Sequence, residues 1–262
     1  MQKDREVFHF TVWSFLGKEN EYGLFLWGLG AQQSAFGFLL DEQGKFVPVK
    51  ETCYQLYESD YYPFAEFADE LRALNDYCFL IAQAVNQEKE RANQELIQTR
   101  AKPEKEFPWL APFTKTELLI GLEGESDQWE WAASISRAHL VILLYSFLEK
   151  TLKYLSEWFQ EESILTQKKS KGEPKLYSYL YAILGIDKPK FYEQYREIAE
   201  ILDASRKIRN QFAHENLEGD LPALPEELSV EKASHKLKLV ELIDVVGKVL
   251  KLTEEVYEKE KS

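Results

Sequence analysis

Residues 129–160 constrain the fold more than any other part of this chain. Trp131, Ile135, Ala138, Ile142, Tyr145, Glu149, Leu152, Ser156 and Phe159 recur at spacings of four and three. That is the period of one helix face. A second apolar row runs through Val141, Leu144, Leu148 and Leu155. A helix that is apolar on two sides must be covered on two sides, so it belongs at the centre of a helical bundle. Glu149 is the exception, a carboxylate on an otherwise apolar row.

The neighbouring segments supply the covering helices. Tyr177 to Leu184 reads as a short helix closed by Gly185 and Pro189. A further helix runs from Phe191 to about His214, with Ile198, Ile201, Ala204 or Ser205, Ile208 and Phe212 as its core row. Gly219, Pro222 and Pro225 then enforce a loop. The last helix spans roughly 230–258, with Leu237, Val240, Ile243, Val246 and Leu250 inward. The expectation is an all-α bundle of four to five helices over 129–258.

The N-terminal part, 1–100, follows different rules. Phe8, Phe10, Val12 and Phe15 form a strand-like run. Residues 35–40 and 46–49 read as two strands about a turn containing Gly44, and Pro48 suits an edge. Phe64, Phe67, Leu71, Leu74 and Cys78 then switch to helical spacing, and the pattern turns polar across 86–100. Residues 101–128 hold Pro103, Pro108, Pro112, Gly121 and Gly124 and read as a linker. The fold class expected is mainly α, with an N-terminal α+β region containing a small antiparallel sheet.

Composition narrows the function. A formal net charge of −13 excludes a general nucleic-acid coat or a polybasic membrane binder. A basic site acting on a polyanion would have to be local. Cys53 and Cys78 make no disulfide framework, and no CxxC offers a structural zinc site. The first residues carry charge and no apolar signal core follows them. The uncharged stretch from Tyr22 to Leu40 approaches spanning length, but Gln32, Gln33 and Ser34 interrupt it among four glycines. It reads as strands joined by a turn, and no membrane partner is expected.

Chemistry concentrates in one string, Arg209-Asn210-Gln211-Phe212-Ala213-His214. It sets a permanent cation, an amide and a titratable imidazole within two helical turns. At roughly 100° per residue, Arg206, Asn210 and His214 share one stripe, Arg209 flanks it and Ile208 and Phe212 face elsewhere. Such groups hold a phosphate and move a proton beside it. An Arg and a His near a helix C-terminus also interact favourably with the helix dipole, so a purely structural role stands beside the catalytic one.

Arg209-Asn-x-x-x-His214 resembles the signature of the HEPN superfamily, an arginine, four to six residues and a histidine, often with a polar residue after the arginine. Tyr145-Ser-Phe-Leu-Glu149 is similar to the end of that family's first long helix, an apolar run closed by an acid. The resemblance covers about 130–256. It implies a metal-independent endoribonuclease of the cytosol, without cofactor, acting on an RNA substrate. It further implies a homodimer in which two motifs make one composite site, and a role as a toxin or antiphage effector. Arg209, Asn210 and His214 would be catalytic, with Glu149 and Arg206 in support. Glu149 would either hold Arg209 or form an unrelated internal salt bridge. An antitoxin or sensor partner would engage the N-terminal region. Where some toxin members carry a tyrosine after the histidine, this chain has Glu215 and Asn216. Noncatalytic binding or dimerisation modules of the family, and an acidic scaffold for a basic partner, are the alternatives.

No other site competes. His9, His139 and His235 are isolated, and His139 is expected to be packed near the core. No metal-ligand spacing, P-loop, dinucleotide loop or G-x-S-x-G is present.

Overall fold

The computed structural model describes residues 56–103, 115–162, 174–212 and 237–261 with their side chains, and the backbone alone of 7–14, 32–40, 46–49 and 213–215. The described chain is mainly helical. Six helices follow in order: α1 (Phe64–Ala101), α2 (Lys115–Glu161), α3 (Lys175–Leu184), α4 (Lys188–Gln194), α5 (Arg196–Glu215) and α6 (Leu239–Lys261). The N-terminal sheet expected above falls on residues whose side chains lie outside the described set.

The central helix is α2. Leu144, Leu148, Leu152, Leu155 and Phe159 are fully buried on it. They pack with Phe64 and Leu71 of α1, Leu176 and Leu180 of α3, Leu202 of α5 and Val246 and Leu250 of α6. Full burial of each such side chain contributes on the order of 1.5–3 kcal/mol, which fixes α2 as the spine.

Ring and polar contacts give the directions. Phe67 meets Tyr154, and Arg91 meets Glu125, so α1 and α2 are antiparallel. Arg209 lies by Tyr145 and Phe212 by His139, so α5 also runs against α2. Arg137 donates to the Leu237 carbonyl while Tyr257 packs on Trp158, so α6 runs with α2. Gly247 lets α6 press on Tyr57, where an added Cβ would meet the tyrosine Cβ at 3.2 Å. Gly185 ends α3 at φ 65°, the left-handed conformation a glycine C-cap supplies.

Several expectations change. α1 is one unbroken helix to Ala101, and it shares the bundle core rather than standing with the N-terminal segment alone. The break expected over 101–128 narrows, because α2 begins at Lys115 and runs through Gly121 and Gly124. The physical reason is cross-helix pairing. Arg100 meets Glu123 at 2.6 Å, Arg91 meets Glu125 at 2.9 Å, Lys89 meets Glu130 at 2.7 Å, and Ser126 donates to Asn93 at 2.7 Å. Two glycines cost an isolated helix about 1 kcal/mol each; here the helix lies against a partner. Trp131 and Ile135, expected inward, are 58% and 42% exposed. The segment Phe191–His214 is divided at Tyr195 into α4 and α5. Of the last helix, residues 230–236 lie outside the described set.

By length and composition α2 is the one helix among the described residues able to cross a membrane, a test that the core helix of a soluble protein also passes.

Candidate functional site

The motif arginine sits where α2, α3 and α5 converge. Arg206, Arg209 and Asn210 of α5 line a cleft of about 270 Å³ together with Tyr145 and Glu149 of α2 and Pro174 and Lys175 at the start of α3. A second cleft of about 260 Å³ adjoins it and shares Glu149, Lys175 and Arg209. Its further lining is Ser146, Lys150, Lys153 and Tyr179. Four of the five sequence-predicted site residues therefore meet: Arg209, Asn210, Arg206 and Glu149. The fifth, His214, is placed one turn beyond Asn210 in the last turn of α5 by its backbone; its side chain lies outside the described residues.

Among the described residues no carboxylate holds Arg209. Its guanidinium carbon lies 5.9 Å from the centre of the Tyr145 ring, and Nη1 donates to Asn210 Oδ1 at 3.4 Å. A ring face attracts a cation through its quadrupole while leaving the N–H fork open. No ion pair joins Glu149 to Arg209 among the described residues. Glu149 is half-buried rather than enclosed, so water solvates it and no partner is required. Its charge acts on Tyr145 instead. Burial first, and then Glu149, push the Tyr145 phenol up to about 12, so it stays protonated at neutral pH.

Arg206 is positioned by Asp203. The two meet at 3.5 Å, one helical turn apart. Asp203 also accepts from Tyr177 at 2.9 Å and from the hydroxyl of Tyr192. Burial and then the Asp203 hydrogen bond push Tyr192 up to about 12, and burial raises Tyr177 as well. Both phenols thus remain donors and fix the carboxylate. Arg206 Nε is buried without a hydrogen-bond partner, so the arginine is clamped at one end of its fork only.

The sequence reading missed Asp203, Lys150, Lys153 and Lys175. Asp203 was legible only as an i, i+3 partner of Arg206; the tyrosines come from α3 and α4. The lysines carry no signal of their own on exposed helix surface. His139, expected near the core, is exposed, with its ring 6.1 Å from that of Phe212.

The electrostatic sense is clear from the lining. Lys150, Lys153, Lys175, Arg206 and Arg209 face Glu149, the one carboxylate among the described residues that line the two clefts, on a chain of formal charge −13. A larger cleft of about 460 Å³ elsewhere has the opposite sign, with Glu58, Asp60, Glu254, Glu255 and Glu258 against Lys251. Glu254 there accepts from Tyr57 at 2.7 Å and from Ser59. Among the described residues no group of three or more His, Cys, Asp or Glu side chains is placed to hold a metal ion. Comparison with protein-family models, curated proteins and solved structures gives no match.

Proposed function

We propose that this chain is a metal-independent endoribonuclease of HEPN type, working as a homodimer in the cytosol. One observation carries the reading. The arginine of the motif lies on a cationic cleft of an acidic protein, with its guanidinium on the Tyr145 ring and outside any ion pair among the described residues. A phosphate entering there displaces no carboxylate.

The reaction divides among the motif residues. The RNA 2′-oxygen attacks phosphorus as a base takes its proton. The P–O5′ bond breaks as an acid protonates the leaving oxygen, leaving a 2′,3′-cyclic phosphate and a 5′-hydroxyl. An imidazole suits both proton transfers near neutral pH, and His214 is assigned to them. Arg209 stabilises the charge gathering on the phosphoryl oxygens, with Arg206 beside it. Asn210 orients the Arg209 fork through the contact described above. One motif histidine per chain and two proton transfers per reaction favour a two-fold dimer with both His214 residues in one site.

The N-terminal segment completes the reading as a small antiparallel sheet that engages an antitoxin or sensor partner and so restrains a toxin or antiphage effector. The backbone pairing supports the sheet: Val7–Ser14 pairs with Gln32–Leu40, and Gln32–Leu40 with Phe46–Val49, both antiparallel.

The test is RNA cleavage in EDTA by wild type and by His214→Ala. Wild type cleaves in chelator, and the variant loses about 10²–10⁴-fold in rate while keeping its thermal transition. An excess of His214→Ala chains depresses wild-type activity through dead heterodimers when subunits exchange. Equal cleavage by the two proteins defeats the assignment, and full activity of a sedimenting monomer defeats the composite site.

A further inference from the structure

The two clefts do not end at the motif. At roughly 100° per residue, Ser146, Lys150 and Lys153 fall within about 60° of arc on α2. All three line the second cleft, opposite Lys175 and Tyr179 of α3. Lys150 and Lys175 form no ion pair among the described residues. Lys153 reaches Glu157 only at 4.0 Å, with its side chain 57% exposed. A solvated surface of this chain would carry more acids than bases, since the whole carries 45 Asp and Glu against 32 Lys and Arg. This strip reverses that ratio. Ser146, Lys150 and Lys153 line this second cleft and not the first, whereas Lys175 and Arg209 line both and mark where the strip meets the motif.

We propose that Lys150, Lys153 and Lys175 form a phosphate track that holds the backbone of an extended single-stranded RNA on one side of the scissile bond. The inference rests on the ribonuclease reading and deepens it: the substrate is a strand of several nucleotides, not a mononucleotide or a dinucleotide. Lysines are suited to this. Each is a flexible point charge that accepts phosphates at varying positions and reads no base. The bidentate arginine is kept for the one phosphate whose geometry matters.

The test uses the full chain and an uncleavable probe, a fluorescent 12-nucleotide RNA with every 2′-oxygen methylated, so that binding is read whether or not the protein is a nuclease. Single-strand binding weakens with salt at a slope of about −0.7 per phosphate neutralised. The triple variant K150Q/K153Q/K175Q is therefore expected to lower the magnitude of the slope by about 2. It should also weaken binding at 0.1 M salt by roughly ten- to a hundredfold. A control with the same loss of charge elsewhere, K190Q/K251Q/K259Q, is expected to bind within about threefold of wild type, because distant charges are screened over roughly 10 Å at that salt. A length series of two, four, eight and 12 nucleotides should gain affinity with length in wild type and lose that gain in the triple variant. On cleavable RNA the double variant K150Q/K153Q, which spares Lys175 of the motif cleft, raises KM for the long strand and leaves cleavage of a dinucleotide unchanged.

Equal binding and equal slopes for wild type and the triple variant overturn the track. So does an equal loss in the control, which would reveal only the general field. So does an equal fall in dinucleotide cleavage by K150Q/K153Q, which would place those two lysines at the reacting phosphate. If no RNA is cleaved by wild type while the binding differences hold, the track stands and the nuclease reading falls. The three side chains are exposed, so melting temperatures should match; the single variants K153Q and K175Q give the same slope test if the triple variant does not fold.

Discussion

From Leu140 to Phe159, α2 carries eleven buried side chains; from Lys115 to His139 it carries Leu122 alone. Both stretches are one continuous helix and both are rich in apolar residues. The C-terminal stretch has α1, α3, α5 and α6 around it, and its two apolar rows are both used. The N-terminal stretch forms an arm with the end of α1, joined by Arg91, Arg100 and Lys89 to Glu125, Glu123 and Glu130. Ile120, Trp131 and Ile135 stay exposed there. An apolar row in a sequence thus requires burial only where neighbours reach it. The arm is held mainly by polar pairs across a hairpin, the body by area removed from water.

The comparison breaks most readily in the body. Leu148→Ala is expected to cost about 2–5 kcal/mol, the range for a fully buried leucine whose cavity cannot collapse. Ile120→Ala, on the arm, should stay within about 0.5 kcal/mol. Denaturant melts of the two variants measure the contrast, and equal losses would erase the distinction between arm and body. Smaller and opposite in sign is the effect of the arm glycines. Nothing lies within 4 Å of a Cβ added to Gly121 or Gly124. Gly121→Ala and Gly124→Ala should each stabilise by about 0.5–1 kcal/mol through helix propensity. A loss instead would mean that the arm needs its glycines for a bend or a partner. Smallest is Arg91→Ala. Arg91 is exposed and shares three acids, Glu88, Glu95 and Glu125. Its removal should shift the melting temperature less than either glycine does, and the shift should vanish in 1 M salt, where charges are screened over about 3 Å. A salt-resistant loss larger than the glycine gains would show the arm to be built on that one residue.

The body was legible in the sequence because its signals are local and periodic. Val141, Leu144, Leu148 and Leu155 announce a buried face, and Gly185 announces the end of α3. The arm was not. Pro103, Gly121 and Gly124 are breakers in a one-dimensional reading, and the ion pairs that override the glycines join residues 23 to 41 positions apart. The candidate site divides the same way. Arg206, Arg209 and Asn210 share one helix, and the closing acid of the long helix marked Glu149, so their meeting could be anticipated. The role of Glu149 is not fixed by its spacing: its side chain is half-buried, and no ion pair joins it to Arg209 among the described residues. Asp203 and the three lysines act only through elements brought together by the fold, and no spacing in the chain encodes that.

The unbroken course of α2 has a consequence in time. At 1.5 Å per residue its 47 residues span about 70 Å of a single hydrogen-bond ladder. Its amides near Lys115 can open by fraying together with the end of α1, whereas those beside Leu148 open only when the whole core does. Proton exchange along this one helix should therefore slow by orders of magnitude from its first turns to its last buried turn. The Tyr145 and Glu149 amides, which carry the floor of the cationic cleft, fall at the slow end. The cleft is built where the molecule yields last.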